Sequence, residues 1–245
     1  MAEQKLAEYS EVSQYYDKLW AQLDQQKLSG INSRHRFFLK YLKAAGLKRN
    51  SRVLEIGCGN GTLTAFVARH IPSGKITGVD ISPETIEMAK HRYLKSIKNI
   101  EFKVSNMTNF RDQEKFDFVI FPDVLEHIPL EAHNNIFKTI RENVHQDSTV
   151  LINIPYPRAS EFMTKHHPEH MQIIDQALHT DTFIKAIYDN DFYLEQLKSY
   201  TVFFKEPDYQ LLLVRPNKTL TKMQSKSKLS ILIRSLLLRI ENLFT

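Results

Sequence analysis

Apolar and polar positions change period repeatedly along this chain. Val53, Leu54 and Ile56 form a short apolar run of β-forming residues, which predicts a strand over 52–56 that is covered on both faces. Comparable runs predict strands over residues 75–80, 100–106, 116–121 and 148–154. Strands and helices alternate up to about Pro155, as a parallel sheet with crossover helices demands. Residues 193–204 and 208–214 read as two more strands, close enough to form an antiparallel hairpin. Upstream, the pattern predicts a helix over about 10–26 and a second over 32–45. The second has Phe37, Phe38, Tyr41 and Leu42 at helical spacing and Gly46 as its stop. Residues 181–190 read as a helix, and residues 156–179, rich in His and Pro, as a long irregular loop.

The first strand runs straight into Gly57-Cys58-Gly59-Asn60-Gly61 and then a helix from Thr62 to His70. Glycines there permit a sharp turn and a close approach of ligand to main chain, and the helix aims its free N–H groups at the turn. A dinucleotide-binding turn has the spacing G-x-G-x-x-G. Here the third glycine comes one position early, at Gly61, and an acid, Glu55, stands two residues before the first. A second acid, Asp80, ends the second strand, about where a carboxylate reaches a ribose diol. Ser82, Pro83 and Glu84 then open a helix as N-cap, first residue and first-turn acid.

The pattern E-x-G-x-G-x-G at Glu55–Gly61 resembles motif I of the class I S-adenosylmethionine-dependent methyltransferases, and Val124-Leu-Glu-His-Ile128 after the fourth strand is similar to a companion motif of that family. The resemblance covers roughly residues 51–216. It implies an α/β fold: a doubly wound, seven-stranded, mainly parallel sheet of order 3-2-1-4-5-7-6. The expected divisions are a helical N-terminal lid over 1–46, a methyltransferase domain over 47–216, and a basic linker with an amphipathic helix over 217–245. The cofactor implied is S-adenosyl-L-methionine. Gly57, Cys58, Gly59 and Gly61 would shape the loop beneath it, Glu55 would orient its amino end, and Asp80 would take the ribose hydroxyls. Ile81 would lie against the adenine. Asn106 and Met107 stand where the family often has an acid, the Phe121 carbonyl would meet the ammonium, and Arg36 is a candidate partner for the carboxylate.

Asp123 and His127 follow the fourth strand at the carboxyl edge of the sheet, where such folds bind ligands. His127 is a candidate general base, because histidine titrates near neutral pH; packing beneath the cofactor is the plainer alternative. Asp123 reads equally as a ligand-binding group or a turn cap. In the loop after the fifth strand, His166, His167 and His170, with Tyr156, are candidates for the acceptor site, with His167 as a second catalytic candidate. A metal cluster and a polar surface loop are the other readings of these histidines, and no metal site is assigned. Tyr16, with Tyr9 and Tyr15, would belong to a lid helix that walls the acceptor.

Composition narrows the setting. The chain has 245 residues, enough for one α/β domain, and a single cysteine, Cys58, which excludes an internal disulfide and suits a reducing compartment. No apolar core follows Met1, so no signal peptide is expected, and a cytoplasmic location is. The formal charge of +5 is uneven: residues 215–245 hold seven basic residues and one acid, Glu241, leaving about −1 for residues 1–214. A nucleic-acid substrate is therefore not expected, since the core carries no basic track. Over residues 229–244 most leucines and isoleucines gather on one helical face, Ile231 and Leu238 excepted, with Arg234, Ser235, Arg239 and Asn242 opposite. That segment has three readings: an anionic membrane surface at the inner face, a homodimer contact, or docking on the domain. The expected activity is O-methylation of a small molecule or glycan. The alternatives are N-methylation of an amine or amino sugar, C-methylation of a quinone-type lipid precursor, and a cofactor-binding protein without turnover.

Overall fold

The computed structural model describes residues 9–25, 30–219, 221, 223 and 225–241. In chain order the elements are α1 (Tyr9–Gln25), α2 (Ser33–Ala44), β1 (Arg52–Ile56), α3 (Thr62–Ala68), β2 (Lys75–Asp80), α4 (Pro83–Tyr93), β3 (Ile100–Val104) and β4 (Phe116–Pro122). They continue with α5 (Leu130–Asn143), β5 (Val144–Pro155), α6 (Pro157–His166), α7 (Thr180–Asp189), β6 (Phe192–Tyr200), β7 (Tyr209–Pro216) and α8 (Lys228–Glu241). The sheet has seven strands in the order β3-β2-β1-β4-β5-β7-β6, as expected. All neighbouring pairs are parallel except those made by β7, which runs antiparallel to β5 and β6.

The strand side chains alternate between two apolar layers, as a period of two requires. Val53, Ile76, Phe118 and Ile120 face one layer, closed by Phe38 and Leu42 of α2, Leu63 and Val67 of α3, and Ile86 and Ala89 of α4. Leu54, Val79, Val119 and Phe121 face the other, closed by Ile136, Phe137 and Ile140 of α5 and Phe183 and Ile187 of α7. Because β1 pairs with β2 on one side and β4 on the other, the connections reverse direction between β1 and β4. A crevice opens at the carboxyl ends of those two strands, the place where open α/β sheets bind ligands.

Residues 156–179 are more ordered than the expected irregular loop. Pro157 sits in the first helical turn, where its missing N–H costs nothing, and α6 follows to His166. Pro168 then stops the helix by excluding the helical conformation at His167, which has φ −140° and ψ 52°. β6 ends at Tyr200, short of the expected Phe204, because the Asp208 carboxylate accepts the N–H groups of Val202 (2.7 Å) and Phe203 (2.8 Å) and turns the chain. Asn32 caps α2: its Oδ1 accepts the His35 N–H (3.2 Å), and His35 Nδ1 accepts the Asn32 N–H (3.2 Å).

α2 precedes the glycine turn, yet Phe38, Leu39 and Leu42 are buried in the core of the sheet. Leu42→Ala should therefore destabilise the whole domain by about 2–5 kcal/mol in a denaturant melt, with one shared transition. A loss under about 1 kcal/mol, or a separate early transition, would detach α2 from that core.

Candidate active site

β1 delivers the chain into Gly57, Gly59 and Gly61, which have φ of +68°, +51° and +78°. At Gly59 a Cβ would fall 2.4 Å from the Trp20 ring, so glycine is what lets the indole of α1 lie on the loop. At Gly61, which opens α3, a Cβ would fall 2.6 Å from the Phe102 ring. Asp80, at the end of β2, fastens this loop. Its Oδ2 accepts the Gly59 N–H (2.8 Å) and its Oδ1 accepts the Ser82 N–H (3.0 Å). The Ser82 hydroxyl caps α4 by accepting the Thr85 N–H (3.0 Å) and donates to Asp17 of α1.

Above the loop lies a cavity of about 710 Å³, within the usual range for small-molecule sites. Of the residues singled out in the sequence, Glu55, Gly57, Cys58, Asp80, Ile81, Asn106, Met107, Asp123, His127 and Tyr16 line it. Gly59 and Gly61 shape the loop from behind. The Phe121 side chain is fully buried against Phe137 in the second core layer, and Phe121 is not among the residues that line the cavity. Cys58 is buried, and burial pushes its thiol pKa up, which suits a packing role and not a nucleophile. Met107 (φ +64°) and Asp123 (φ +57°) hold strained left-handed backbone, and both line the cavity.

Five further sequence candidates lie elsewhere. Arg36 is exposed on α2; helical spacing turns it away and brings Arg34 and His35 to the cavity in its place. His166, His167 and His170 are exposed at the end of α6 and in the turn after it, because α6 is a helix that carries them outward. The donor atoms of His167, Glu169 and His170 lie within 4.8 Å of one another, but on open surface. Tyr156 caps α6 with its backbone and does not line the cavity either. The segment after α6 does reach the site, through Gln172, Ile174 and Asp175. Gln176 donates to the carbonyls of Glu126 (3.0 Å from N) and Ile128 (2.8 Å from Nε2), stitching the segment to the Leu125–His127 turn. Buried His133 holds that turn from beneath, with Nε2 donating to the Ile128 carbonyl at 2.9 Å.

The cavity is acidic. Glu55, Asp80, Asp123, Glu126, Glu131 and Asp175 line it, and Arg34 is the one arginine or lysine among its described lining. Arg34 is already engaged: Nη1 donates to Asp123 Oδ2 (2.6 Å) and to the Tyr209 hydroxyl (3.0 Å). Asn153 extends the network, donating to Asp123 Oδ1 (2.7 Å) and accepting from the Tyr200 hydroxyl (2.5 Å). Burial pushes the Glu55 carboxyl pKa up to about 8, and its Oε2 has no partner. Burial and the nearby Asp123 push Glu126 well up as well, and its Oε2 is also unpartnered. Burial beside the Arg34 cation lowers His35 to about 4, which keeps it neutral. His127 Nδ1 lies 2.7 Å from the Ile174 carbonyl, and its Nε2 lies 3.8 Å from Glu126 Oε1.

α1 closes the top of the site. Val12, Tyr16, Leu19 and Trp20 line the cavity, and the Ser13 hydroxyl donates to the Ile81 carbonyl at 3.4 Å. The Tyr9 side chain lies outside the described residues. Sequence reasoning gave no role to Trp20, Arg34, Glu126 or Tyr209. The helical phase of α2 held the signal for Arg34; no local signal marks Tyr209, which arrives from the far end of the chain.

An acidic, half-apolar crevice with an acid after β2 and an unpartnered carboxyl beneath the glycine loop suits a cationic nucleoside cofactor, and S-adenosylmethionine fits it. A family model described as a methyltransferase domain matches residues 47–226, and the chain belongs to that family. It is 32% identical over 92 residues to a ubiquinone biosynthesis O-methyltransferase of Coxiella burnetii, covering 37% of this chain and 38% of that protein. It is 23% identical over 169 residues to malonyl-[acyl-carrier protein] O-methyltransferase 1 of Ilyobacter polytropus, covering 65% and 63%. The chain thus spans little more than a third of the first of these relatives and under two thirds of the second. Among solved structures it is similar to magnesium protoporphyrin IX methyltransferase of Synechocystis with bound SAH, with TM-score 0.65 and 18% identity over 84% of this chain and 98% of that one. A Haloferax volcanii putative methyltransferase, solved with its Trm112 activator, gives TM-score 0.68 and 14% identity over 86% and 100%. At these identities the structures speak for the fold.

The raised Glu55 pKa makes the cofactor-free protein pH-sensitive. Folded Glu55 keeps its proton up to about pH 8, whereas an ordinary glutamate releases it near 4.5. Between those values the folded state binds more protons, so stability falls as pH rises. Glu55→Gln should flatten that fall by on the order of a few kcal/mol in melts from acid to mildly alkaline pH. Parallel curves for the two proteins would contradict this.

Proposed function

We propose that this chain transfers the methyl group of S-adenosylmethionine to a hydroxyl oxygen of a small molecule or sugar, with His127 as general base. One observation carries the reading. A carbonyl oxygen only accepts hydrogen bonds, so the Ile174 carbonyl fixes the proton of neutral His127 on Nδ1 and leaves a lone pair on Nε2 at the cavity wall. A hydroxyl is a weak nucleophile until its proton has somewhere to go.

The bound cofactor supplies a methyl group activated by its sulfonium. The residues that would hold it are Asp80 at the ribose, Glu55 at the cationic amino end, and Ile81 and Met107 as apolar walls. Glu126, whose carboxyl pKa burial and the nearby Asp123 push up, lies beside His127 and would help orient an acceptor oxygen by hydrogen bonding. Arg34, Asp123, Asn153 and Tyr200 would brace the acceptor side through one partly buried network. Tyr16 and Trp20 on α1 exclude water and hold the reacting groups together. The O-methyltransferase names of the two curated relatives favour oxygen as the acceptor atom, and an aromatic quinone precursor is one small molecule within this reading.

A second reading, N-methylation of an amine or amino sugar, is favoured by the six carboxyl groups that line the cavity. The two readings part at His127, since an unprotonated amine needs little base catalysis. For a hydroxyl acceptor, His127→Gln should lower kcat by about 10²–10⁴-fold. Cofactor affinity should stay within about twofold, because His127 is assigned no cofactor contact. A kcat loss below about fivefold with the best acceptor would remove the base role and leave the amine reading.

A further inference from the structure

We propose that α8 is a docking surface for an anionic lipid bilayer. The proposal is independent of the reaction assigned above. α8 is a 14-residue helix that follows the last strand. Amphipathic helices normally bury their apolar side. Here Leu229, Leu232, Ile233 and Leu237, which share one side at helical spacing, are 49–66% exposed. Ile231, 56% exposed, projects from the other side.

Charge selects the occupant. Lys226, Lys228 and Arg234 are exposed, and residues 215–245 sum to +6 against about −1 for the rest of the chain. A second copy would present the same positive charge to its twin. A bilayer rich in anionic headgroups offers both complements at once, negative charge for the basic flank and acyl chains for the leucines. The helix would lie in the plane of the surface. Fourteen residues span about 21 Å against a hydrocarbon core of about 30 Å, and no described helix is long and apolar enough to cross a membrane.

The test is co-sedimentation of the full chain with phosphatidylcholine vesicles, with and without phosphatidylglycerol. The chain should pellet with the anionic vesicles, stay in solution with the neutral ones, and be released by salt. Leu232→Glu with Leu237→Glu should lower the partition coefficient by at least about tenfold. Lys226→Gln and Lys228→Gln should each lower it about fivefold. All variants should keep the wild-type melting temperature and cofactor affinity, which separates a failure here from a failure of the methyltransferase reading. Wild-type protein left in solution with anionic vesicles, or equal binding to both kinds, would overturn the proposal. So would a lipid-free dimer in ultracentrifugation that the double leucine variant dissociates, since the face would then belong to a second copy.

Discussion

One buried carboxylate organises this site. Asp80 accepts the Gly59 N–H with one oxygen and the Ser82 N–H with the other, so the loops after β1 and β2 are fixed to each other at the crevice. Burial pushes its pKa up, and the backbone donors of Ser82, Gly59 and Ile81 favour the charged form. Ser82 relays the constraint to α1 through Asp17. The glycine loop, Asp80 and α1 are therefore one connected unit, and a change at any of the three should be felt at the others.

The opposite half of the cavity is built by a second unit. The Arg34–Asp123 pair, braced by Asn153, Tyr200 and Tyr209, joins α2, β4, β5, β6 and β7. Beside it, the Leu125–His127 turn is held by His133 from α5 and by Ile174 and Gln176 from the segment after α6. Even a partly buried ion pair costs desolvation that offsets much of its attraction. Its value here lies in fixing the position of the strained Asp123 backbone and of the histidine after it.

Much of this was legible in sequence, for physical reasons that can be named. A strand buried on both faces admits little besides Val, Ile, Leu and Phe, so β1, β2 and β4 declared themselves. The turn between β1 and α3 needs three left-handed residues, so it declared itself by glycine. The opposite half of the cavity was harder. Arg34 and Arg36 look alike along the chain, and only the phase of α2 against the sheet separates them. The histidines at 166, 167 and 170 drew attention by composition, yet Pro157 starts a helix that carries them outward. The residues that do arrive from that segment, Gln172, Ile174 and Asp175, form no local pattern. Ile174 acts through a backbone carbonyl, which its side chain does not encode. Tyr209 reaches the cavity only because β7 inserts beside β5, a long-range pairing that no window of sequence contains.

The most direct test of the account is calorimetric titration of S-adenosylmethionine into the wild type and into Asp80→Ala, with circular dichroism to establish that both are folded. The account predicts saturable wild-type binding that weakens at least about tenfold in the variant, since hydrogen bonds to a charged group are lost. No wild-type binding, or equal affinity in the two folded proteins, would contradict it.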